Sequence, residues 1–499
     1  MRKYYMAIAV SIFFITGSFA QNGTRLIGYD AVTSGRGGTS TGFFDNPTLM
    51  MNNPAGLSFL KSSQFDISFS LMAPKVYFKN DINNARGTDN LFPLGSIGFA
   101  KKLNPKFTYA LGVFTQGGMG ADFNLNHALY KDASANYVPQ VYHSKFAVMQ
   151  GGGSAAYKMG KNFSAGITLN LVYSQVEFQM PMSMPPSMLK GVIDSQTGFS
   201  FGDMFSANPE AGGLGYSELV AAATMTKLTS FGFNGKIGLA YKPNEKFSAG
   251  INYTLPVDLT YKNGTADMDM GYQLNDAFGK VVAGIMQQNP GATAAEAQQQ
   301  AMIMFSQLGI DLSKGAADNY DAQVKMGLPQ SISGGFSFTP VQKLRLALDA
   351  EWINWAKAFK QMDISLAGGA NPNINRMLGT EGTINMAFPM NWKNTLVIRS
   401  GIELNASKKL VLRGGYVYGS NPVPSSTVFP VFPAVVKHHI TAGGSIKLTK
   451  TFIFNAAYEH AFRNDQTATA KCLVANEYNY STSGLSNNIF HVSVSWLLK

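Results

Sequence analysis

The feature that most constrains how this chain can fold is a two-residue alternation of apolar with small or polar side chains. The alternation continues for roughly ten residues at a time, which is the length of a strand that crosses a membrane. Clear examples cover residues 247–255, 344–352 and 490–496, and their apolar positions often end in an aromatic side chain. Successive side chains of a strand point to opposite faces, so each such segment predicts a β-strand with one apolar face.

About fourteen segments of this kind are present, and the connections between them alternate between short and long. The segments begin near Gln64, Leu94, Lys106, Lys145, Phe163, Phe231, Lys246, Ala322, Gln342, Lys393, Lys409, Lys437, Thr451 and Asn488. Tight turns on one side and long loops on the other are typical of an outer-membrane barrel, whose turns face the periplasm. A soluble sandwich would carry charged outer faces, whereas only 14% of these residues are charged. We therefore predict an all-β fold, a fourteen-stranded antiparallel transmembrane β-barrel in the bacterial outer membrane.

The first residues predict export. Arg2 and Lys3, the apolar stretch 6–15 and the small-x-small sequence 18–20 are typical of a signal peptide, which we assign to residues 1–20. Beyond it, no run of 18 apolar residues predicts a membrane-spanning helix. The formal net charge of +11 comes from Lys and Arg residues scattered along the sequence, which argues against a nucleic-acid partner.

Residues 21–63 do not alternate and precede the first strand, so the barrel domain is expected to cover residues 64–499. Fourteen strands enclose more lumen than their own side chains can fill. We therefore predict that residues 21–63 form a hatch, a small plug inside the barrel. Charged residues at lumen-facing positions are expected to bind this plug and one another, an ion-pair network being favoured over substrate contact. These lumen charges include Arg345, Asp349, Glu351, Arg399 and Arg413.

Four motifs follow one another in the stretches 52–57, 327–331, 349–355 and 421–433. They read NNPAGL, GLPQS, DAEWINW and a proline-rich stretch that runs from NPVP to FP. With these motifs the chain resembles the FadL-type family of outer-membrane transporters for long-chain fatty acids and, in its TodX-like members, aromatic hydrocarbons. The residues that match the family's hatch motif are Asn53, Pro54 and Ala55.

The resemblance extends over nearly the whole mature chain. It implies a fourteen-stranded barrel with an N-terminal hatch, and lateral release of the ligand through a gap at a kinked third strand. Gly117, Gly118 and Gly120 follow the start of the predicted third strand but do not by themselves place that kink. The chain departs from many barrels in ending at residues 496–499 without a terminal aromatic. The family's ligand contacts lie in variable loops, so none is carried over individually.

The two longest predicted loops, 179–230 and 261–321, are unusually apolar. The first contains several methionines and a helix predicted over residues 217–228. The second contains two predicted helices, the later one beginning with a Thr293/Glu296 capping box and ending at Gly309. Two interpretations stay open: the loops pack on each other, or they expose a groove for a hydrophobic ligand. The candidate ligand-capture residues are Met182, Met184, Met188, Leu189, Phe205, Phe278, Ile285, Met286 and Phe305.

Together these patterns favour a passive transporter over an enzyme, with no cofactor and no metal. The histidines show no metal-ligand spacing and no G-x-S-x-G elbow is present. The preferred ligand is a long-chain fatty acid, because each buried CH₂ group contributes about 0.8 kcal/mol. Aromatic hydrocarbons are the alternative ligand, and a general porin or a surface adhesin (a structural barrel) is the alternative function. Besides the ligand, outer-membrane lipids are the expected partners, and a monomer is expected because the ligand path lies within one barrel.

Overall fold

The computed structural model describes residues 23–498, so the predicted signal peptide lies outside the described residues. Within this range the chain forms a closed antiparallel barrel of 14 strands, and the predicted fold class is confirmed. Each strand pairs with its neighbours in the sequence, and the last strand pairs with the first from Ser63–Leu498 to Lys79–Thr482. The first six strands are β1 Ser63–Lys79, β2 Phe92–Lys102, β3 Phe107–Leu125, β4 Gln140–Met159, β5 Phe163–Met184 and β6 Leu219–Tyr241.

The next four strands are each made of two pieces. They are β7 (Phe247–Thr254 and Val257–Asp269), β8 (Ala317–Leu328 and Ser331–Val341), β9 (Leu344–Ile353 and Gln361–Ala367) and β10 (Ile384–Pro389 and Thr395–Asn405). The last four strands are β11 Leu410–Gly419, β12 His438–Lys447, β13 Phe452–Thr467 and β14 Thr482–Leu498. Between the pieces of β9 the chain turns into a short helix, Trp355–Ala358, and buries the Trp355 side chain. The interruption therefore moves part of the barrel wall inward.

The alternation read from the sequence places apolar side chains outside the barrel and small or polar ones inside. In β6, Phe231, Phe233 and Ile237 are exposed on the outer face, whereas Asn234 and Lys236 are buried. A strand in lipid needs this pattern because every backbone group is satisfied by its neighbours and only side chains face the membrane. No helix among residues 23–498 is long and apolar enough to span a membrane.

The described part of the N-terminal segment, residues 23–62, lies inside the barrel. It contains helix α1, Ala31–Gly35, and two 3₁₀ turns, Pro47–Met51 and Pro54–Phe59. Helix α1 contacts β11 to β14, and the second turn contacts β3 to β7, so the segment touches opposite sides of the wall. We call residues 23–62 the inner segment.

The extracellular loops hold helices α2 Phe201–Ser206, α3 Gly271–Gln288, α4 Ala294–Gln307 and α6 Pro372–Leu378, and the helix that interrupts β9, Trp355–Ala358, is α5. The predicted capping box is confirmed, since the Thr293 and Glu296 side chains each accept a hydrogen bond from the other residue's backbone N–H. The helix predicted over residues 217–228 is wrong, because Leu219 onward belongs to β6 and pairs with β5 as far as Met184. The backbone hydrogen bonds of a long ladder outweigh the modest helix preference of an alanine-rich stretch.

Candidate functional site

The inner segment is attached to the wall by hydrogen bonds to its backbone. The Asp349 carboxylate on β9 accepts hydrogen bonds from the backbone N–H groups of Ser40 at 2.7 Å and Thr41 at 2.8 Å. The Asn53 amide donates to the carbonyl of Thr41 and, across to β6, to that of Leu239, both at 3.0 Å. The Asn53 oxygen accepts from the Ala55 N–H at 3.2 Å. The hatch motif thus ties the inner segment both to itself and to the wall.

A second set of contacts lies at the periplasmic end of the lumen. Arg36 is fully buried and binds both carboxylate oxygens of Asp45, at 2.5 and 2.9 Å. The guanidinium groups of Arg36 and Arg345 lie 3.8 and 3.5 Å from the ring centre of Phe43. On the wall, Arg413 donates to the Glu403 carboxylate at 2.7 Å. Cation–π and ion-pair contacts of this kind are stronger in a lumen than at a surface, because less water screens them.

The third set of contacts surrounds Glu351 on β9. Its carboxylate lies 2.9 Å from the Arg25 guanidinium of the inner segment and 2.7 Å from that of Arg399 on β10. Lys236, buried on β6, lines the same small cavity as these three residues. Arg25 is therefore the charged anchor that holds the start of the inner segment to the wall.

Directly beside this anchor, the inner segment runs along an irregularity in β3. The pairing register of β3 with β4 shifts between Thr115 and Gly117, which marks a β-bulge. Leu26 N–H donates to the Gln116 carbonyl at 3.2 Å, and Gly118 N–H donates to the Thr24 carbonyl at 3.0 Å. A side chain at Gly117 would overlap the Thr24 carbonyl, so glycine permits this close approach. The inner segment covers the bulge from the lumen.

A small cavity of about 40 Å³ lies next to this contact. Its walls come from the inner segment, the β3 bulge and the two strands that close the barrel, β1 and β14. Most of the lining is apolar and includes Met72, Val76, Leu485 and Ile489, whereas Arg25, Glu459 and Asn487 add polar groups. A pocket that is mostly apolar with few polar groups is typical of a small-molecule site.

The cluster Trp355, Phe359 and Trp392 lies where β9 and β10 are interrupted. The ring centres lie 5.0 Å (Trp355–Phe359), 5.2 Å (Trp355–Trp392) and 4.5 Å (Phe359–Trp392) apart. A Cβ atom at Gly23 would come within 2.5 Å of the Trp355 ring, so the start of the inner segment packs directly on this cluster. The aromatic cluster and the β3 bulge therefore both contact residues 23–26.

On the extracellular side, a groove of about 610 Å³ runs between the end of β5 and the first piece of β10. Its apolar lining includes Met182, Met184, Met188, Met386 and Phe388. Lys190 also lines the groove, and its side chain is exposed to solvent. We call this feature the outer groove.

The other predicted capture residues lie elsewhere. Leu189 and Phe205 are buried beneath the loops. Phe278 and Phe305 contact each other, with ring centres 5.6 Å apart, and Ile285 is buried in the interface of helices α3 and α4. Met286 is 39% exposed and faces away from that interface. The two loops also pack on each other, since the Tyr216 hydroxyl of the first donates to the Asp276 carboxylate of the second at 2.5 Å. Of the two interpretations, loop packing and a groove are thus both present, and the groove is lined by the methionines of the first loop.

Further buried polar groups lie around Glu459 at the cavity and in the loop that follows β13. His439 and His491 lie 2.7 and 3.6 Å from the Glu459 carboxylate, and Ser70 bonds His491 at 2.7 Å. In the loop that follows β13, burial raises the pKa of the Glu477 carboxyl to about 8, and Tyr142 donates to it at 2.7 Å. Residues 23–498 contain no cluster of His, Cys, Asp and Glu suited to a metal ion.

Several of these groups were not predicted from the sequence. No local sequence pattern includes Arg25, Gln116, Trp392 or the β10 side of the outer groove. Their roles follow from the residues that they contact across the barrel. Trp355 lies in a quoted motif, but its inward direction follows from the interruption of β9.

Comparison with known proteins agrees with this geometry. Residues 14–494 match the family described as outer membrane protein transport protein (OMPP1/FadL/TodX). Outer membrane protein P1 of Haemophilus influenzae is 22% identical over 254 residues, which are 47% of this chain and 54% of that protein. The chain therefore aligns with about half the length of the curated relatives it matches.

Solved structures share the fold over nearly the whole chain. The toluene transporter TodX of Pseudomonas putida has a TM-score of 0.66 at 18% identity, covering 95% of this chain and 99% of TodX. A FadL homologue of Pseudomonas aeruginosa has a TM-score of 0.65 at 14% identity, covering 97% of this chain and 100% of the homologue. The toluene transporter TbuX of Ralstonia pickettii has a TM-score of 0.64 at 16% identity, covering 95% and 99%.

Proposed function

We propose that this chain, which belongs to the OMPP1/FadL/TodX family of outer membrane transport proteins, admits long-chain fatty acids passively. Members of this family are transporters of hydrophobic compounds. That the compounds carried by this chain are fatty acids is our proposal. The proposal is supported by two apolar sites, the outer groove on the extracellular side and the cavity beside the inner segment. The β3 bulge lies next to that cavity.

Capture takes place in the outer groove. A fatty acyl chain gains about 0.8 kcal/mol for each CH₂ group it buries, so an apolar groove binds it without special chemistry. Met182 and Met188 supply flexible, polarizable side chains that adapt to a chain of variable shape. Lys190 supplies a positive charge for the carboxylate, a feature that an aromatic hydrocarbon would not use. This charge is why fatty acids are preferred over the alternative ligand.

Passage inward ends in the cavity beside the inner segment, where the ligand is again in apolar surroundings. Displacement of residues 23–26 from the β3 bulge would uncover the wall at Gln116 to Gly118. An apolar ligand there is drawn sideways into the membrane, since transfer to the aqueous periplasm would expose its chain to water. The resemblance to the family implies the same lateral route. A single barrel suffices for every step.

The test is the binding of a radiolabelled long-chain fatty acid to the detergent-purified protein, with toluene as competitor. Saturable binding that toluene does not displace is expected. Exchanging Met182 and Met188 for Ser should weaken binding about tenfold or more, because two apolar side chains of the groove are lost. Met286→Ser is the matched control, since Met286 lies on an exposed helix face outside the groove. Lys190→Met should weaken binding of the acid but not of its methyl ester.

Other outcomes would redirect the assignment. Displacement by toluene, together with no effect of Lys190→Met, would move the ligand class to aromatic hydrocarbons. Saturable binding of neither ligand would overturn the proposal and favour the surface adhesin. An equal effect of Met286→Ser and the double groove variant would show that the outer groove is not the capture site.

A further inference from the structure

The lysines that are scattered in the sequence come together in the structure on the periplasmic rim of the barrel. The rim consists of residues 60–62, which lead into β1, and the six short turns with the residues that flank them: 101–106, 158–163, 241–247, 339–344, 405–410 and 446–452. The first three stretches carry Lys61, Lys101, Lys102, Lys106, Lys158 and Lys161. The other four carry Lys242, Lys246, Lys343, Lys408, Lys409, Lys447 and Lys450. Each turn therefore bears at least one lysine.

This rim holds the whole net charge of the protein. Its thirteen lysines are opposed by one acidic residue, Glu245, which gives a net charge of +12 (13 − 1). The entire sequence carries +11, so all other residues together sum to −1 (11 − 12). Glu245 is moreover paired with Lys242 at 2.7 Å. The basic character of the chain is therefore a property of one edge of the barrel and not of its loops or lumen.

Exposed apolar side chains alternate with these lysines. Leu103 lies between Lys102 and Lys106 and is 56% exposed, and Leu448 lies between Lys447 and Lys450 and is 62% exposed. Large exposed apolar groups in a turn are unfavourable in water and favourable at the edge of a bilayer. A lysine beside them can lay its aliphatic stem along the apolar zone and keep its ammonium group at the headgroups.

We propose that this collar of lysines binds the anionic phospholipids of the periplasmic leaflet, with each turn contacting phosphate-bearing headgroups around the circumference of the barrel. The even spacing around the barrel favours a lipid leaflet over an acidic protein, which would need one compact patch. The residue type agrees, since all of these rim cations are lysines and none is arginine. Lysine is a flexible point charge, which suits mobile headgroups better than a fixed bidentate partner.

The experiment measures lipid selectivity in the full-length protein, reconstituted into phosphatidylcholine vesicles. Spin-labelled phosphatidylglycerol and spin-labelled phosphatidylcholine are compared by the fraction that the protein immobilises. A preference for phosphatidylglycerol of up to about fivefold is expected, the equivalent of about 1 kcal/mol for a lysine at an anionic surface. The preference should fall in 0.5 M salt, because salt screens exposed charges.

Two matched variants locate the effect, and each replaces five exposed lysines by Gln. The rim variant changes Lys106, Lys161, Lys343, Lys408 and Lys450. The control variant changes lysines of the extracellular side, Lys79, Lys131, Lys227, Lys314 and Lys471. The rim variant should lose most of the preference and the control variant should keep it. Heat-dependent mobility in SDS gels checks that both are folded, and single-turn variants replace any that is not.

The proposal is overturned by either of two results. One is a wild-type protein without preference for phosphatidylglycerol, and in that case salt-sensitive binding of soluble polyglutamate would assign the collar to an acidic protein instead. The other is an equal loss of preference in the rim and control variants, which would reflect total charge and not the collar. Neither result depends on the transported ligand.

Discussion

Replacing Glu351 is expected to release the start of the inner segment from the barrel wall. Its carboxylate holds Arg25 of the inner segment at 2.9 Å and Arg399 of the wall at 2.7 Å, and all three side chains are at most 11% exposed. The change Glu351→Gln removes the negative charge and leaves two buried guanidinium groups facing a neutral amide. Removing one partner of a buried ion pair costs about 3–5 kcal/mol.

The local consequence can be estimated from the contacts that remain. Without Glu351, residues 23–26 keep the two backbone hydrogen bonds at the β3 bulge, the 3.3 Å hydrogen bond from Arg25 to the Ser331 hydroxyl and the packing on Trp355. If about 3 kcal/mol of the loss falls on the detachment of this segment, its open population rises by about two orders of magnitude. The barrel ladder itself is untouched, so the protein should stay folded.

The assay is the rate at which a maleimide reagent labels a cysteine placed at Thr24, which is buried against the bulge. The native Cys472 is first changed to Ser. The labelling rate should rise by about 100-fold in the Glu351→Gln background, since only the detached segment exposes residue 24. Glu381→Gln, at an exposed loop carboxylate, serves as the matched control and should leave the rate unchanged.

An unchanged labelling rate in a folded Glu351→Gln protein would refute the view that this ion pair holds the segment in place. Arg25→Gln extends the test. Because the two charges act on each other, the double variant should detach the segment by less than the sum of the two single effects. Full additivity would show that Arg25 and Glu351 contribute independently.

Three further outcomes follow from the contacts described. Asn53→Ala should destabilise the folded barrel by about 2–4 kcal/mol, measured by thermal loss of the compact form on SDS gels, because the carbonyls of Thr41 and Leu239 lose their donor. Leu485→Trp should reduce ligand uptake severalfold while outer-groove binding persists, because the larger ring fills the inner cavity; unchanged uptake would place the ligand route elsewhere. Glu477 has a pKa of about 8 against an ordinary 4.5, so the folded state keeps a proton that the unfolded state releases. The stability of the extracellular loops should therefore fall as the pH rises from about 4.5 to about 8, and hydrogen exchange of Glu477→Gln should lack this dependence.

The period of two in the sequence was sufficient to determine the barrel. A strand in lipid must present apolar side chains on one face at every second residue, and this requirement is local enough to be read directly. Capping is equally local, which is why Thr293 and Glu296 marked the beginning of helix α4 correctly. The four motifs supplied the family for the same reason, since each is a short contiguous stretch.

Other features depended on which residues meet across the barrel. The composition of residues 217–228 predicts a helix, but hydrogen bonding to β5 places the residues from Leu219 onward in strand β6. Arg25 and Glu351 are 326 positions apart, and nothing near either one in the sequence indicates the other. The methionines of the outer groove lie opposite apolar residues of β10, which are about 200 positions away in the sequence. In each case the contact is set by strand register and barrel closure, which local patterns do not specify.

The lysines show the same division most clearly. Along the sequence the lysines are dispersed, and this dispersion predicts no basic patch on the folded protein. Once the barrel closes, every second connection between strands is brought to one edge, so residues separated by about 40 to 90 positions become neighbours on a ring. The sequence by itself determined that this chain is a barrel with apolar loops and a hatch motif. Only the tertiary structure decided where its charge, its cavity and its anchors lie, because closure of the sheet brings together residues that no local pattern connects.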